Sequence, residues 1–128
     1  MRFLMQIIEA IREEVGNDIC VGIRLPNEEY IPGGLTAQDN AEIAKIVEPH
    51  VDYISLHMGS YWRFHKLLSP MDDPLGHEMP ANEPITKQLT EPTIVVGRIM
   101  TLDHAETIVK EGQADMVSMV RALIADPG

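Results

Sequence analysis

The feature that most constrains this chain is the alternation of short apolar runs with longer stretches that are apolar on one side only. The apolar runs occupy residues 19–25, 51–57, 93–96 and 114–119. Runs of this length predict β-strands, and each follows a segment with helical spacing or helix caps. The order α-β-α-β-α-β-α-β predicts an α/β fold with a parallel sheet and right-handed crossovers.

The helical segments are recognised by spacing and by caps. Residues 2–15 repeat apolar side chains at helical spacing, which predicts a helix with one buried face. That face consists of Phe3, Leu4, Ile7, Ile8, Ile11 and Val15. Thr36 and Asp39 have the spacing of a capping box, with Asp in place of the usual Glu, and they open a predicted helix that ends near Val47. Further helices are predicted for residues 85–89, 101–112 and 121–125.

The segment 58–84 has neither a helical nor a strand period. Its glycines and prolines are Gly59, Pro70, Pro74, Gly76, Pro80 and Pro84. We predict an irregular stretch here, and loops of this length inside a compact domain usually have a function.

Two architectures fit this order of elements, an open doubly wound sheet and part of a (β/α)8 barrel. No strand is followed by the G-x-G-x-x-G turn of dinucleotide-binding sheets. Gly97-Arg98 and Val120-Arg121 end the last two strands, and barrels commonly bind phosphate after strands seven and eight. Since a complete barrel needs ~250 residues, we predict that residues 1–128 are the second, C-terminal half of a TIM barrel, with about four βα units.

Composition excludes several kinds of partner and site. Ten Lys and Arg against twenty Asp and Glu give a formal net charge of −10, so a nucleic acid is not an expected partner. No apolar run approaches the ~18 residues of a membrane span, and the first residues lack the pattern of a signal peptide. Cys20 is the single cysteine, which we interpret as a small core residue rather than a nucleophile. We expect a soluble, cytoplasmic protein.

Several motifs along the chain carry a family resemblance. They are RFL..II..IR (2–12), VGIRL (21–25), GGLT (33–36), VDYIS (51–55), VVGRI (95–99) and ADMVSMVRALIADP (114–127). In their order and approximate spacing they resemble the old yellow enzyme family of flavin oxidoreductases. Within that family they are most similar to the branch that contains 2,4-dienoyl-CoA reductase and trimethylamine dehydrogenase.

The resemblance implies a barrel that binds FMN, takes hydride from NAD(P)H and passes it to an activated alkene, or else oxidises an amine. It also implies that the proton donor and the substrate-binding pair come from earlier strands, so no catalytic residue is assigned in this chain. Members of the branch carry a cysteine run for an iron–sulfur cluster after the last helix. This chain has Cys20 alone and does not ligate such a cluster.

The resemblance also assigns the cofactor-binding residues. Arg24 corresponds to the arginine that reaches the N1–C2=O edge of the flavin, where a guanidinium stabilises the charge of the reduced ring. The alternative for Arg24 is a salt bridge to a neighbouring loop. Gly97 and Arg121 correspond to the loop that binds the FMN phosphate, and Arg98 lies beside it. Val120 stands where many relatives have glycine, so a positive φ is not expected there.

The histidines offer little further chemistry. His57 ends a strand, and with Tyr61 and Trp62 it forms a candidate wall on the substrate side of the flavin. His65 and His77 are expected to be solvated loop residues. His57 and His65 have no third ligand at a recognisable spacing, so a metal site is not predicted.

Two hypotheses of other classes stay open. The chain could be a non-catalytic half-barrel that binds a phosphorylated small molecule through Gly97 and Arg121, or an inert fragment that needs a partner half. Half a barrel leaves two unpaired sheet edges and an uncovered inner face. We therefore expect self-association or pairing with the missing half.

Overall fold

One parallel sheet organises the computed structural model, which describes residues 1–128. Its strands are β1 (Gly22–Pro26), β2 (Tyr53–His57), β3 (Thr93–Val95) and β4 (Met116–Val117). The strands lie in chain order, and each pairs in parallel with the next. A doubly wound sheet reverses its order at a switch point, whereas a barrel advances strand by strand. The topology therefore fits the predicted half-barrel.

Six α-helices connect and flank the strands. They are α1 (Arg2–Val15), α2 (Ala37–Val47), α3 (Phe64–Leu68), α4 (Met79–Thr86), α5 (Leu102–Lys110) and α6 (Arg121–Ala125). Short 3-10 turns occupy Glu48–His50 and Tyr61–Arg63. None of the helices combines the length and the apolar character that a membrane crossing requires.

The predicted capping box opens α2. The backbone N–H of Asp39 donates to the Thr36 hydroxyl at 3.3 Å, and the Thr36 N–H donates to the Asp39 carboxylate at 2.9 Å. These bonds satisfy two N–H groups that have no partner within the helix. The Thr36 hydroxyl also donates to the Asp39 carboxylate at 2.6 Å, and this bond together with that from the Thr36 N–H lowers the pKa of the Asp39 carboxyl. Helix α2 therefore begins where the sequence predicts.

The core lies between the helices and one face of the sheet. Ile54 and Leu56 of β2 and Val95 of β3 are fully buried. The alternating residues of β2, Tyr53 and His57 among them, are only half-buried. Because successive strand residues point to opposite faces, these residues lie on a second face, which we call the open face, and which no helix of the chain covers.

The first strand differs from its prediction. It begins at Gly22, three residues later than expected, and its residues alternate in burial as they do in a strand covered on one face only. The unbroken apolar run predicts instead a strand covered on both faces. Ile19 and Cys20 lie before the strand and are exposed, so the interpretation of Cys20 as a core residue is wrong.

Helix α1 buries only part of its predicted apolar face. Ile8 is buried and Leu4 packs against the core, but Phe3, Ile7 and Ile11 are 76%, 42% and 41% exposed. We call these last three residues the α1 stripe. Their i, i+4, i+8 spacing is that of a contact face, but no element of this chain lies against it.

The segment 58–84 is more ordered than predicted. It contains the turn Tyr61–Arg63, all of α3 and the first six residues of α4, which begins at Met79 rather than near residue 85. Pro80 is tolerated because it stands in the first turn, where the missing N–H needs no partner. Burial of Ala81 and Ile85 then holds the helix in place.

Candidate functional site

The carboxyl ends of the strands border a cavity of about 550 Å³. The five residues predicted to bind the cofactor, Arg24, Gly97, Arg98, Val120 and Arg121, all contribute to its lining. The cavity is completed by Leu67, Leu68, Ser69, Glu78, Val96, Ile99, Met100, Ser118, Met119 and Ala122. Parallel strands that end together therefore gather side chains that are up to 98 positions apart in the sequence.

Arg24 presents an unpaired positive charge to this cavity. It lies on β1 opposite Ser55 of β2, on the open face of the sheet. Its side chain makes no hydrogen bond and no ion pair within the chain, so the alternative of a salt bridge to a neighbouring loop is not what the structure shows. The charge of Arg24 adds to the effect of burial in lowering the pKa of His57. An unpaired guanidinium at a cavity wall is suited to binding an anionic or electron-rich group.

The loop after β3 has an unusual backbone. Gly97 has φ 129° and Arg98 has φ 53°, so two consecutive residues lie in the region that L-residues rarely adopt. The Gly97 carbonyl accepts a hydrogen bond from Gly76 N–H at 3.1 Å. The Arg98 guanidinium donates to the carbonyl of Asp73. The segment that connects α3 to α4 thus contacts this loop through two hydrogen bonds, one to Gly97 and one from Arg98.

The loop after β4 leads directly into α6. Arg121 donates from Nη2 to the carbonyl of Ser69 at 2.9 Å. Val120 has φ −115°, so the expectation that valine avoids a positive φ here is confirmed. The backbone N–H groups of Gly97, Arg98, Val120 and Arg121 donate no hydrogen bond within the chain.

Glu78 is the buried acid of the site. The residue is 2% exposed and stands at the N-cap of α4. Its Oε1 accepts from the Ser69 hydroxyl at 3.4 Å, a Met58 backbone N–H also reaches the carboxyl, and its Oε2 has no partner. Burial raises the pKa of Glu78 to about 7, against the opposing effects of these bonds and of the positive charge of Arg24.

Glu78 also explains why residue 97 is glycine. A Cβ at position 97 would lie 2.7 Å from both Cβ and Cγ of Glu78 and 3.1 Å from its Cδ. Contacts this short do not occur between real side chains, so the carboxyl of Glu78 and the backbone of Gly97 are packed directly together. Two features therefore favour glycine at position 97: the close packing against Glu78 and the positive φ.

His65 and His77, both predicted to be solvated, differ in their exposure. His65 is exposed, as expected. His77 is not solvated: its side chain is 5% exposed and its Nε2 lies 3.8 Å from Oδ2 of Asp73. Burial lowers the pKa of His77 although the Asp73 carboxylate opposes this. The expectation for His77 is wrong because the segment around it is packed rather than looped out.

The aromatic residues Tyr61 and Trp62 of the same segment are not among the residues that line the cavity. Tyr61 and Trp62 are 86% and 85% exposed, and Tyr61 stacks on Phe64 with the ring centroids 6.2 Å apart. Leu67 and Leu68 take the positions along the cavity instead. Within this chain, the apolar wall of the cavity is thus aliphatic.

Sequence reasoning misses Glu78 and Ser69 altogether. Both lie in the segment without a recognisable period, and a single Glu or Ser in such a segment carries no signal of burial. The nearest signal is the pair of glycines at 76 and 97, because glycines facing each other across a loop indicate close backbone packing.

These groups lie together around one cavity. Three arginines, four free N–H groups and one buried carboxyl surround a cavity at the carboxyl end of a parallel βα array. That position is where (β/α)8 barrel enzymes bind phosphate groups and carry out their chemistry. The fold and the position of the cavity are therefore those of part of a (β/α)8 barrel.

Residues 1–128 match the NADH:flavin oxidoreductase / NADH oxidase family over the whole chain, and the chain belongs to this family. The assignment to the old yellow enzyme family made from the motifs is confirmed. The chain is 38% identical to an NADH oxidase from Thermoanaerobacter brockii, over 99% of its own length and 20% of that protein. It is 30% identical to an NADPH dehydrogenase from Clostridium acetobutylicum, over 98% of its own length and 36% of that protein.

Solved structures agree on the fold. A 2-naphthoyl-CoA reductase in complex with 2-naphthoyl-CoA is 32% identical and superimposes with a TM-score of 0.85, over 98% of this chain and 19% of that one. A histamine dehydrogenase from Rhizobium sp. 4-9 shares the fold with a TM-score of 0.87. The chain is therefore half of a (β/α)8 barrel, and it spans between about a fifth and about a third of the length of these relatives.

The packing of Gly97 leads to a first prediction. Gly97→Ala should lower the free energy of unfolding by about 2 kcal/mol more than Gly112→Ala, because residue 97, unlike residue 112, combines a strained φ with a collision. Gly112 also has a positive φ, +66°, but a Cβ there would meet nothing within 4 Å. Urea unfolding of both variants measures the difference, and equal losses would contradict the packing argument.

Proposed function

We propose that this chain is the FMN-binding half of an oxidoreductase barrel. The observation that carries the proposal is the single cavity that collects Arg24, Gly97 and Arg121 at the carboxyl ends of three strands. In the whole protein, bound FMN would accept hydride from NAD(P)H and deliver it to an activated alkene, or else accept it from an amine. The relatives include proteins of both kinds by name, reductases and dehydrogenases of amines.

The residues present fit FMN. The phosphate would be held by the free N–H groups of the Gly97-Arg98 and Val120-Arg121 loops, whose guanidinium groups lie beside them. Arg24 has no partner in the chain and would balance the negative charge that the ring gains on reduction. An iron–sulfur cluster, where the whole protein has one, would be ligated outside this chain, which offers only the exposed Cys20.

A binding experiment tests the proposal and separates it from the alternatives. The purified protein that contains this chain should quench the fluorescence of FMN, and it should bind riboflavin, which lacks the phosphate, at least about tenfold more weakly. A non-catalytic phosphate site would bind inorganic phosphate and show no preference for a flavin. Absence of any flavin binding would refute the proposed function.

The role of Arg24 is tested by the reduction potential. In the FMN-loaded protein, Arg24→Ala should leave FMN bound but lower its midpoint potential, since the reduced ring loses about 1–3 kcal/mol of charge-assisted contact. Arg2→Ala is the matched control, because Arg2 is an exposed arginine of α1 that forms no ion pair. Equal midpoint potentials for the two variants in a redox titration would show that Arg24 does not interact with the flavin ring.

A further inference from the structure

The buried carboxyl of Glu78 lies where the proposed function places a phosphate. Glu78 contributes to the lining of the same cavity as Gly97 and Arg121, and its side chain packs against the Gly97 backbone. Its Oε2 has no partner although the residue is 2% exposed. When ionised, this carboxyl would place a negative charge beside the Gly97 loop, which the proposed function assigns to the phosphate, and like charges repel.

The groups around Glu78 do not neutralise it. The charge of Arg24 on β1 faces the carboxyl, and Tyr30 of the β1–α2 loop is the other titratable group that interacts with it. From the loop after β2 and from the end of α3 it meets only uncharged donors, the Met58 N–H and the Ser69 hydroxyl. No cation lies within ion-pair distance of either carboxyl oxygen.

The remaining charges near the cavity are already engaged. Arg98 and Arg121 donate to the carbonyls of Asp73 and Ser69. Asp73 pairs with Lys66 at 3.1 Å and lies 3.8 Å from His77. None of these pairs includes Glu78, so its protonation is the adjustment that the site can make when a second negative group arrives.

We propose that Glu78 couples FMN binding to the uptake of one proton: the carboxyl is neutral when the FMN phosphate is bound, and its ionisation selectively weakens the affinity for FMN. The inference rests on the proposed function and deepens it. Glu78 then sets the affinity for the phosphate group of FMN. It does not affect the affinity for riboflavin, which lacks that phosphate. The protonated carboxyl also gains an O–H donor, which a phosphate oxygen of FMN would accept and riboflavin could not.

The direction of the pH effect distinguishes Glu78 from the phosphate itself. Because the pKa of Glu78 is about 7, ionisation of this carboxyl weakens FMN binding as the pH rises through neutrality. The second ionisation of a phosphate monoester, near pH ~6, acts in the opposite direction and favours binding to arginines as the pH rises. The two groups therefore cannot be mistaken for each other.

Fluorescence titrations of FMN and riboflavin from about pH 6 to about pH 8.5 test the inference. In the unaltered protein, the preference for FMN over riboflavin should fall about tenfold across this range. Glu78→Gln should abolish the fall. Glu83→Gln is the matched control, since Glu83 lies on the same helix but is exposed and paired with Lys87, and it should retain the fall.

A second measurement is independent of the variants. Calorimetry of the unaltered protein near pH 7.5, in two buffers of different ionisation enthalpy, should show net proton uptake with FMN and none with riboflavin. FMN binding without proton uptake, or an unchanged pH dependence in Glu78→Gln, would overturn this inference while the proposed function stands. No FMN binding at any pH would overturn both.

Discussion

Glu78→Gln should raise the free energy of unfolding at pH 8 by up to about 3 kcal/mol. The pKa of this carboxyl rises from an ordinary value of 4.5 to about 7 on folding. Each tenfold change in a proton dissociation constant corresponds to about 1.4 kcal/mol. Above neutral pH the folded chain therefore carries a buried charge that the unfolded chain keeps in water, and the neutral amide removes that charge.

The sign of the pH dependence follows from the direction of the pKa. Because the folded pKa is higher than the unfolded one, the contribution of Glu78 to stability is present below about pH 4.5 and is lost as the pH rises through about 7. Asp52 and Glu48 have lowered pKa values. Their contribution to stability is therefore present at neutral pH and is lost only as the pH falls below their ordinary pKa values. His57 and His77 also have lowered pKa values, so their contribution is lost as the pH falls. Both histidines are retained in Glu78→Gln, and the difference between the variant and the unaltered chain therefore isolates Glu78.

Urea unfolding at pH 5 and pH 8, at one fixed protein concentration, measures this difference. The stability advantage of Glu78→Gln over the unaltered chain should be small at pH 5 and largest at pH 8. Glu83→Gln again provides the control, because the exposed side chain of Glu83 should leave the pH dependence unchanged. A variant that is no more stable than the unaltered chain at pH 8 would show that Glu78 is not the buried charge described here.

Much of the site could be predicted because strand ends are predictable. The alternation of strands and helices implies that the residues after each strand meet at one edge, and this alone places Arg24, Gly97 and Arg121 together. Glu78 could not be found this way. Its burial depends on contacts with Gly97 and Ser69, which are 19 and 9 positions away in a region with no period.

The two errors in which apolar residues are predicted to be buried have one physical cause. The spacing of apolar residues shows which face of a helix or strand is suited to burial. It does not show whether another part of the same chain packs against that face. The α1 stripe and Cys20 are predicted in the core for this reason, and both are exposed. In the relatives, about two-thirds to four-fifths of the protein lies outside the matched region.

The isolated chain of residues 1–128 should self-associate at micromolar concentrations. The outer edges of β1 and β4 have no neighbouring strand, and free edges pair with other chains. The α1 stripe lies on the first helix of the βα series. Leu123 and Ile124, which are 48% and 77% exposed, lie on α6, the last helix of the series. Two copies that exchange these faces would bury both and complete the barrel by symmetry.

Charge placed on the α1 stripe tests this arrangement. The double variant Phe3→Glu/Ile7→Glu should raise the dimer dissociation constant about 100-fold or more, since each apolar side chain contributes about 2 kcal/mol when buried and both copies are altered. Leu102→Glu is the matched control: Leu102 is 73% exposed, but it lies at the start of α5 in the middle of the array. That variant should remain associated.

Sedimentation velocity over a range of concentrations distinguishes these outcomes directly. A compact monomer of the unaltered chain at tens of micromolar would refute the association, and equal weakening by Leu102→Glu would show that the contact is not located on α1. Under the proposed function, two copies closed into one barrel would still be inactive, because each copy repeats the proposed cofactor half and neither supplies the other half. NADPH-dependent reduction of an enone by residues 1–128 alone would therefore contradict the proposal that catalysis needs the other half.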